Sequence, residues 1–297
     1  MKVLIFGANG QDGYYLSEAC RNRCLEVVGV SRNGPWIRGD VASAEFVEDL
    51  IRSYQPAMIF HLAAASTTRH HVIYENHATI GTGTINILES VKRWSPSSKV
   101  FITGSGLQFI NKGKPICETD PFDHGSAYAT VRNYSVYLSR YFRNMGIQTY
   151  VGYLFHHESP LRSTAHICQK IAQAVRQIGE GNEEALELGD ITVKKELTFA
   201  GDVAEGILTL IEQDQVFEAV IGSGRAHSIE DWLDVCFKLI DKNWKCYVRE
   251  KKNFKADYPI LISNPETINS LKWYATTNIT ELAKIMVLNQ NPGPLKL

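Results

Sequence analysis

The feature that most constrains this chain lies at its start, where the apolar run VLIF passes directly into GANGQDG and then into the amphipathic stretch YYLSEAC. Gly7, Gly10 and Gly13 stand at G-x-x-G-x-x-G spacing, after strand-like residues and before helix-like ones. Glycine permits a tight turn and close backbone approach to a ligand, and the free N–H groups at a helix N-terminus stabilise negative charge. The spacing therefore predicts a strand, a pyrophosphate-binding turn and a helix, the first unit of a dinucleotide-binding fold.

The rest of the first half keeps that rhythm. Strand-length apolar runs (KVLIFG, EVVGVS, AMIFHLAA, KVFITGS, QTYVGYLF) alternate with helical patterns such as AEFVEDLIRSY and GTINILESVKRW. Continuous apolar strands separated by helices argue for a parallel sheet covered on both faces. The expectation is an α/β, doubly wound (Rossmann) domain over 1–155. After Phe155 come a helix predicted over 164–178, a charged loop GEGNEEALELGD, and short strand-like pieces mixed with helices. This reads as a smaller α+β substrate-binding region, 156–189 and 223–297, with about 190–222 returning to the first domain.

The 297 residues are 44% hydrophobic and 21% charged with a net charge of -1, so no charge excess supports binding to nucleic acid. Small-molecule chemistry is expected instead. No apolar segment is long enough for a signal peptide or membrane span, which predicts a cytoplasmic protein without membrane partners. The cysteines (Cys20, Cys24, Cys117, Cys168, Cys236, Cys246) form no C-x-x-C pair and join no histidine cluster, so neither metal nor disulfide framework is expected. Cys20 and Cys24 read as packing residues on one helix face.

The second strand ends VVGVSRN, where a site for NAD usually carries Asp or Glu for the ribose 2'-hydroxyl. Ser31 and Arg32 stand there instead, a donor and a fixed cation suited to a 2'-phosphate, which favours NADP over NAD. Asp40 is a candidate acceptor for the adenine amine.

With GANGQDGYYLSE, FHLAA and the Ser105, Tyr128 and Arg132 arrangement in hand, the chain resembles the extended short-chain dehydrogenase/reductase family that modifies nucleotide sugars. It is most similar to the branch of GDP-mannose 4,6-dehydratases and GDP-4-keto-6-deoxymannose reductases. YLFHHESPLRS, LELGDITVKKELTFAGDVAEGI, GSGRAHSIEDW and SNPETINSLKW follow that branch in order, so the resemblance covers nearly the whole chain. It implies that Gln11 and Asp12, with Leu62, Ala63 and Ala64, join the glycines around the cofactor. In the family a serine or threonine ending the fourth strand and a Tyr-x-x-x-Lys form the redox centre. The tyrosine exchanges a proton with the C4 oxygen while hydride passes between C4 and nicotinamide, and the lysine holds the ribose and lowers the phenol pKa. Carried over, these residues are Ser105, Tyr128 and position 132. Arg132 keeps the permanent charge of that last position but with a bulkier, forked head.

A second departure concerns dehydration. Dehydratases of the family place a glutamate two residues after the strand-end serine or threonine, and that position here is Leu107, followed by Gln108. Neither titrates. His61, Glu118 and His124 are the conceivable replacements and read as locally satisfied. For a GDP-linked substrate the resemblance implies His156 (asparagine in the branch), Glu158, Arg162, Lys195 and Arg225, while a further branch arginine falls near Phe254 and Lys255. Relatives pair through TINILESVKRW and YATVRNYSVYLSRYFRNM, which implies a homodimer; Tyr134, Tyr137, Tyr141 and Phe142 fit such a bundle and fit an intramolecular core equally well. The expected activity is NADP-dependent reduction of a 4-keto nucleotide sugar; a 4,6-dehydratase with a relocated acid and a non-catalytic binding relative are the alternatives.

Overall fold

The computed structural model describes residues 1–65, 67–182, 184–251, 256 and 258–288. The first half runs β1 (Lys2–Phe6), α1 (Gln11–Asn22), β2 (Glu26–Ser31), β3 (Ile37–Arg38), α2 (Ala44–Tyr54), β4 (Met58–His61), α3 (Ile73–Asn76), α4 (Gly83–Trp94), β5 (Lys99–Ser105), α5 (Ala127–Asn144) and β6 (Thr149–Leu154). A π-helical turn, His77–Thr82, joins α3 to α4. The second half adds β7 (His157–Glu158), α6 (Ile167–Gly179), β8 (Leu186–Leu188), β9 (Lys194–Glu196), β10 (Thr198–Phe199), α7 (Ala200–Ile211), β11 (Glu218–Ile221), β12 (Ala226–Ser228), α8 (Ile229–Lys238), β13 (Val248–Glu250), β14 (Ile260–Leu261), α9 (Glu266–Ser270) and α10 (Ile279–Val287).

Seven strands form one parallel sheet in the order β11-β6-β5-β4-β1-β2-β3, the doubly wound architecture the sequence predicts. The pleat explains why its strands read as unbroken apolar runs. Val3 and Ile5 face α1 and α7 in one cluster, and Leu4 and Phe6 face α2 and α4 in another. Strand order reverses between β1 and β4, so the crevice where open α/β sheets bind ligands opens at their carboxyl ends.

A third cluster holds α6, α8 and α10 together through Ile171, Val175, Trp232, Phe237, Leu282 and Met286. Its neighbours are small sheets, β12-β9-β14 and β13-β8. Fully buried Glu196 on β9 accepts from the Ser263 amide (2.5 Å) and hydroxyl (2.6 Å) and from the Ser223 amide (2.6 Å), fixing two loops to this strand.

Three local expectations need correction. α6 begins at Ile167 rather than 164, because the Ser163 hydroxyl accepts from the Ala165 amide in a turn and holds the chain out of the helix. Cys24 does not share a helix face with buried Cys20. It follows the end of α1, exposed and at φ 56°, where the chain reverses into β2. Phe142 leaves the homodimer grouping: it is buried against the sheet, as the intramolecular alternative has it, while Tyr134, Tyr137 and Tyr141 of α5 are exposed.

Candidate active site

The loop after β1 is pinned from below by the Gly7 and Ala8 amides, which donate to the Val30 carbonyl of β2 at 2.9 and 3.1 Å. Gly7 has φ +91°, and a side chain there would come within 2.7 Å of the Ala63 amide; one at Gly13 would meet the Gly7 carbonyl at 2.3 Å. Both positions are closed to other residues. Gly10 caps α1 without a side chain, leaving the first-turn amides and the positive end of the helix to a ligand.

That loop borders a cavity of about 310 Å³. Gly7, Gly10, Gln11, Asp12, Gly13, Ser31, Arg32, Asp40, Leu62, Ala63 and Ala64 line its wall, while Tyr128 and Arg132, which the sequence also assigns to the cofactor, line the cavity beside it. The chemistry of the wall suits a dinucleotide, combining the glycine cradle with Arg32 and Asp40. Ser31, however, gives its hydroxyl to the Asn33 carbonyl within its own turn. Arg32 donates to Glu75 on α3 at 2.9 Å. Asn9, Asn33 and Thr79 also line this cavity, and no spacing rule marked them.

A second cavity, about 280 Å³, adjoins the first, and Asp12, Leu62 and Arg162 belong to both walls. Ser105, Leu107, Tyr128, Arg132 and His156 line it. Ser105 ends β5, the fifth strand in chain order because β3 intervenes. Its hydroxyl accepts from the Leu107 amide at 3.2 Å, and its amide donates to Gln108 Oε1 at 2.8 Å. Gln108 is fully buried and also donates to Asn133, so it braces the turn rather than facing the cavity.

Helix α5 starts at an N-cap, Ser126, whose hydroxyl accepts from the Ala129 amide at 3.1 Å. One turn apart on its buried face, Arg132 Nε donates to Tyr128 Oη at 3.1 Å, while Arg132 Nη1 donates to the Thr103 carbonyl of β5. Because the phenol oxygen accepts from Arg132, its own hydrogen remains for a substrate oxygen. Arg132 is 2% exposed, and no carboxylate among the described residues pairs with it. Arg132 thus places a buried positive charge, without a carboxylate partner among the described residues, directly against the phenol oxygen. Behind it lies buried His61, with no well-formed hydrogen bond and only the Thr79 and Ile80 carbonyls nearby; burial and then the Arg132 charge push it down to about 4. It is therefore neutral at physiological pH, and the expectation that it is satisfied locally does not hold.

The segment after β6 closes the site. His157 Nε2 meets Asp12 Oδ1 at 2.8 Å, and the Ser159 hydroxyl donates to Gln11 Oε1 at 2.7 Å, so β7 is tied to the phosphate loop. Burial opposes both charges, but the pair prevails: Asp12 is held well below the carboxylate range and His157 is raised. His156 Nε2 meets Glu158 Oε1 at 2.7 Å. Burial and then Lys195 push His156 down to about 3, while its hydrogen bond, with Arg162 and Lys195, outweighs burial and brings Glu158 to about 2. A neutral imidazole thus donates to a buried carboxylate.

Glu158 is fully buried behind His156, and Lys195 on β9 and exposed Arg225 before β12 lie off both cavity walls. Glu118 is committed to the Val220 amide and the Thr267 hydroxyl, and His124 is exposed. The stretch around Phe254 and Lys255 lies outside the described residues. Donor atoms of His156, Glu158 and Cys168 gather within 4.8 Å of one another. Burial raises the Cys168 thiol, and Lys195 and Arg162 add positive charge, both of which oppose a cation there.

Comparison with known proteins follows the same lines. A family model described as GDP-mannose 4,6 dehydratase matches residues 4–286. GDP-mannose 4,6 dehydratase 1 of Arabidopsis thaliana is 26% identical over 321 residues, covering 96% of this chain and 88% of the relative. Among solved structures, dTDP-glucose 4,6-dehydratase from Bacillus anthracis in complex with NAD superposes with TM-score 0.84 at 15% identity, covering 97% and 96% of the two chains. RMD from Pseudomonas aeruginosa complexed with NADPH gives TM-score 0.84 at 17% identity, with the same coverages. No helix among the described residues is long and apolar enough to cross a membrane.

Proposed function

The chain belongs to the GDP-mannose 4,6-dehydratase family, and from that premise we propose that it reduces a 4-keto sugar carried on a nucleotide, GDP by family likeness, with NADP as cofactor. In this reading the glycine loop and α1 would hold the pyrophosphate, Arg32 and Asp40 would attend the adenosine, and the bound cofactor would supply the hydride for C4. Tyr128 gives its hydrogen to the C4 oxygen, Arg132 stabilises the phenolate left behind, and Ser105 donates to the same oxygen. Arg162, on both walls, lies between cofactor and sugar nucleotide, and His156 borders the sugar. Glu158 positions His156, while Lys195 and Arg225 contribute charge from outside the wall. The protein works as a cytoplasmic homodimer.

The observation that carries the reductase reading is Leu107. It lines the cavity beside Tyr128, where the family's dehydratases keep a glutamate, and its side chain can neither take the C5 proton nor expel the C6 hydroxyl. The dehydratase reading is supported by the family match and by relatives such as the Arabidopsis enzyme, which bear that name. It requires another acid, and the imidazoles of His156 and His157 border the same cavity.

Purified protein, NADPH and GDP-4-keto-6-deoxymannose should consume the reduced cofactor, and Tyr128→Phe should slow this by about a hundredfold or more, the range of a lost general acid. Loss of water from GDP-mannose without net cofactor use would select the dehydratase. Tight NADP binding without either reaction would mark a binding protein.

A further inference from the structure

Arg32 and Glu75 are brought together from 43 positions apart, Nη2 to Oε1 at 2.9 Å. β2 and β4 flank β1 in the sheet, so a residue just after β2 and one on the helix after β4 meet across the crevice at the carboxyl end of β1. This is the end of the first cavity bordered by Ser31, Arg32 and Asp40. The pair is open to a ligand, with side chains 58% and 40% exposed, and such exposed pairs hold each other weakly.

The other polar groups of that turn are engaged. Ser31 donates to the Asn33 carbonyl, Asn9 donates to the Asn33 side chain, and Asp40 accepts from the Ala42 amide. Arg32 is the cation on this stretch of wall, since Arg162 sits at the boundary with the second cavity. A ribose 2'-phosphate reaching Arg32 therefore competes with Glu75 for the guanidinium and lies near the charges of Glu75 and Asp40. An uncharged 2'-hydroxyl meets no such opposition: Glu75 is not on the cavity wall itself, but Oε1 alone holds Arg32, so its second carboxylate oxygen can accept from the hydroxyl with the ion pair intact.

We propose that Glu75 is a specificity-determining residue: from α3 it supplies the carboxylate that the end of β2 lacks, competes with the 2'-phosphate for Arg32, and lets this chain take NAD(H) and NADP(H) with similar affinity. The inference rests on the dinucleotide reading of the first cavity and refines the NADP assignment, which counted Arg32 without its partner.

Titration of NADPH and NADH, followed by nicotinamide fluorescence, tests it on the wild type, Glu75→Gln, Arg32→Gln and the double variant. Wild-type dissociation constants should differ by less than about tenfold, and Glu75→Gln should tighten NADPH and weaken NADH, moving their ratio by roughly tenfold. In the Arg32→Gln background, Glu75→Gln should tighten NADPH by clearly less than it does in the wild type, because only direct repulsion of the phosphate is then relieved. Thermal melts matching the wild type exclude misfolding as the cause. Equal effects of Glu75→Gln on both cofactors, no effect on either, or a wild-type preference for NADPH of about a hundredfold or more would overturn the proposal. Wild type that binds neither dinucleotide would overturn the reading beneath it as well, which separates the two failures.

Discussion

At the scale of the residue, the question is whether Arg132 is a damaged lysine or a working arginine. Its Nε serves Tyr128 and its Nη1 serves the Thr103 carbonyl, two acceptors reached by separate nitrogens of one planar head. A lysine ammonium is a single point and cannot occupy both places. Arg132→Lys should therefore lower kcat by roughly tenfold, with little change in cofactor affinity. A rise in kcat on this substitution would show that the arginine impairs the site. The family resemblance singled out Ser105 and Tyr128, and the spacing of four gave the intrahelical reach of Arg132. The carbonyl of Thr103 was not, because a contact across 29 residues leaves no local pattern; the Arg32–Glu75 pair was hidden for the same reason.

At the scale of the element, β7 is bound to the N-terminus of α1 through His157–Asp12 and Ser159–Gln11, which couples the sugar side of the cleft to the phosphate loop. His157 is raised above 6.5 when folded, so its contribution is complete below that value and is lost as pH rises through the folded pKa. Asp12 is depressed below 3.8, so its contribution is complete above that value and is lost only as pH falls further. Both are present between the two. Asp12→Asn should accordingly destabilise the protein by about 1–3 kcal/mol near pH 6, and by less near pH 9, in melts of both proteins. A difference that stays flat over that range would show that the pair is not ionised. The amphipathic patterns behind α2, α4 and α10 place those helices where the structure has them, since burial of one stripe is a local signal. The start of α6 was missed because a serine turn, not periodicity, decides it.

At the scale of the molecule, a parallel, doubly wound sheet follows from the alternation of continuous apolar strands with helices, and the structure adds the strand order, whose reversal places the crevice. What leaves no trace in single stretches is the outer surface. On α5, Tyr134, Tyr137 and Tyr141 are 41%, 58% and 57% exposed, one stripe of large rings that our reading assigns to a homodimer with α4. In sedimentation experiments the wild type should be a dimer, and Tyr137→Glu with Tyr141→Glu should give a monomer whose circular dichroism spectrum is unchanged; a wild-type monomer would remove that assignment.

The central claim is that Tyr128 and Arg132 serve hydride transfer to C4 in a site that lacks a dehydration acid. Reduction of GDP-4-keto-6-deoxymannose with nicotinamide-deuterated NADPH, read by mass spectrometry and NMR, tests it most directly. The account requires one deuterium at C4 of the alcohol product and almost none with Tyr128→Phe. A protein that leaves the ketone untouched but removes water from GDP-mannose, returning its hydride to C6, would contradict it.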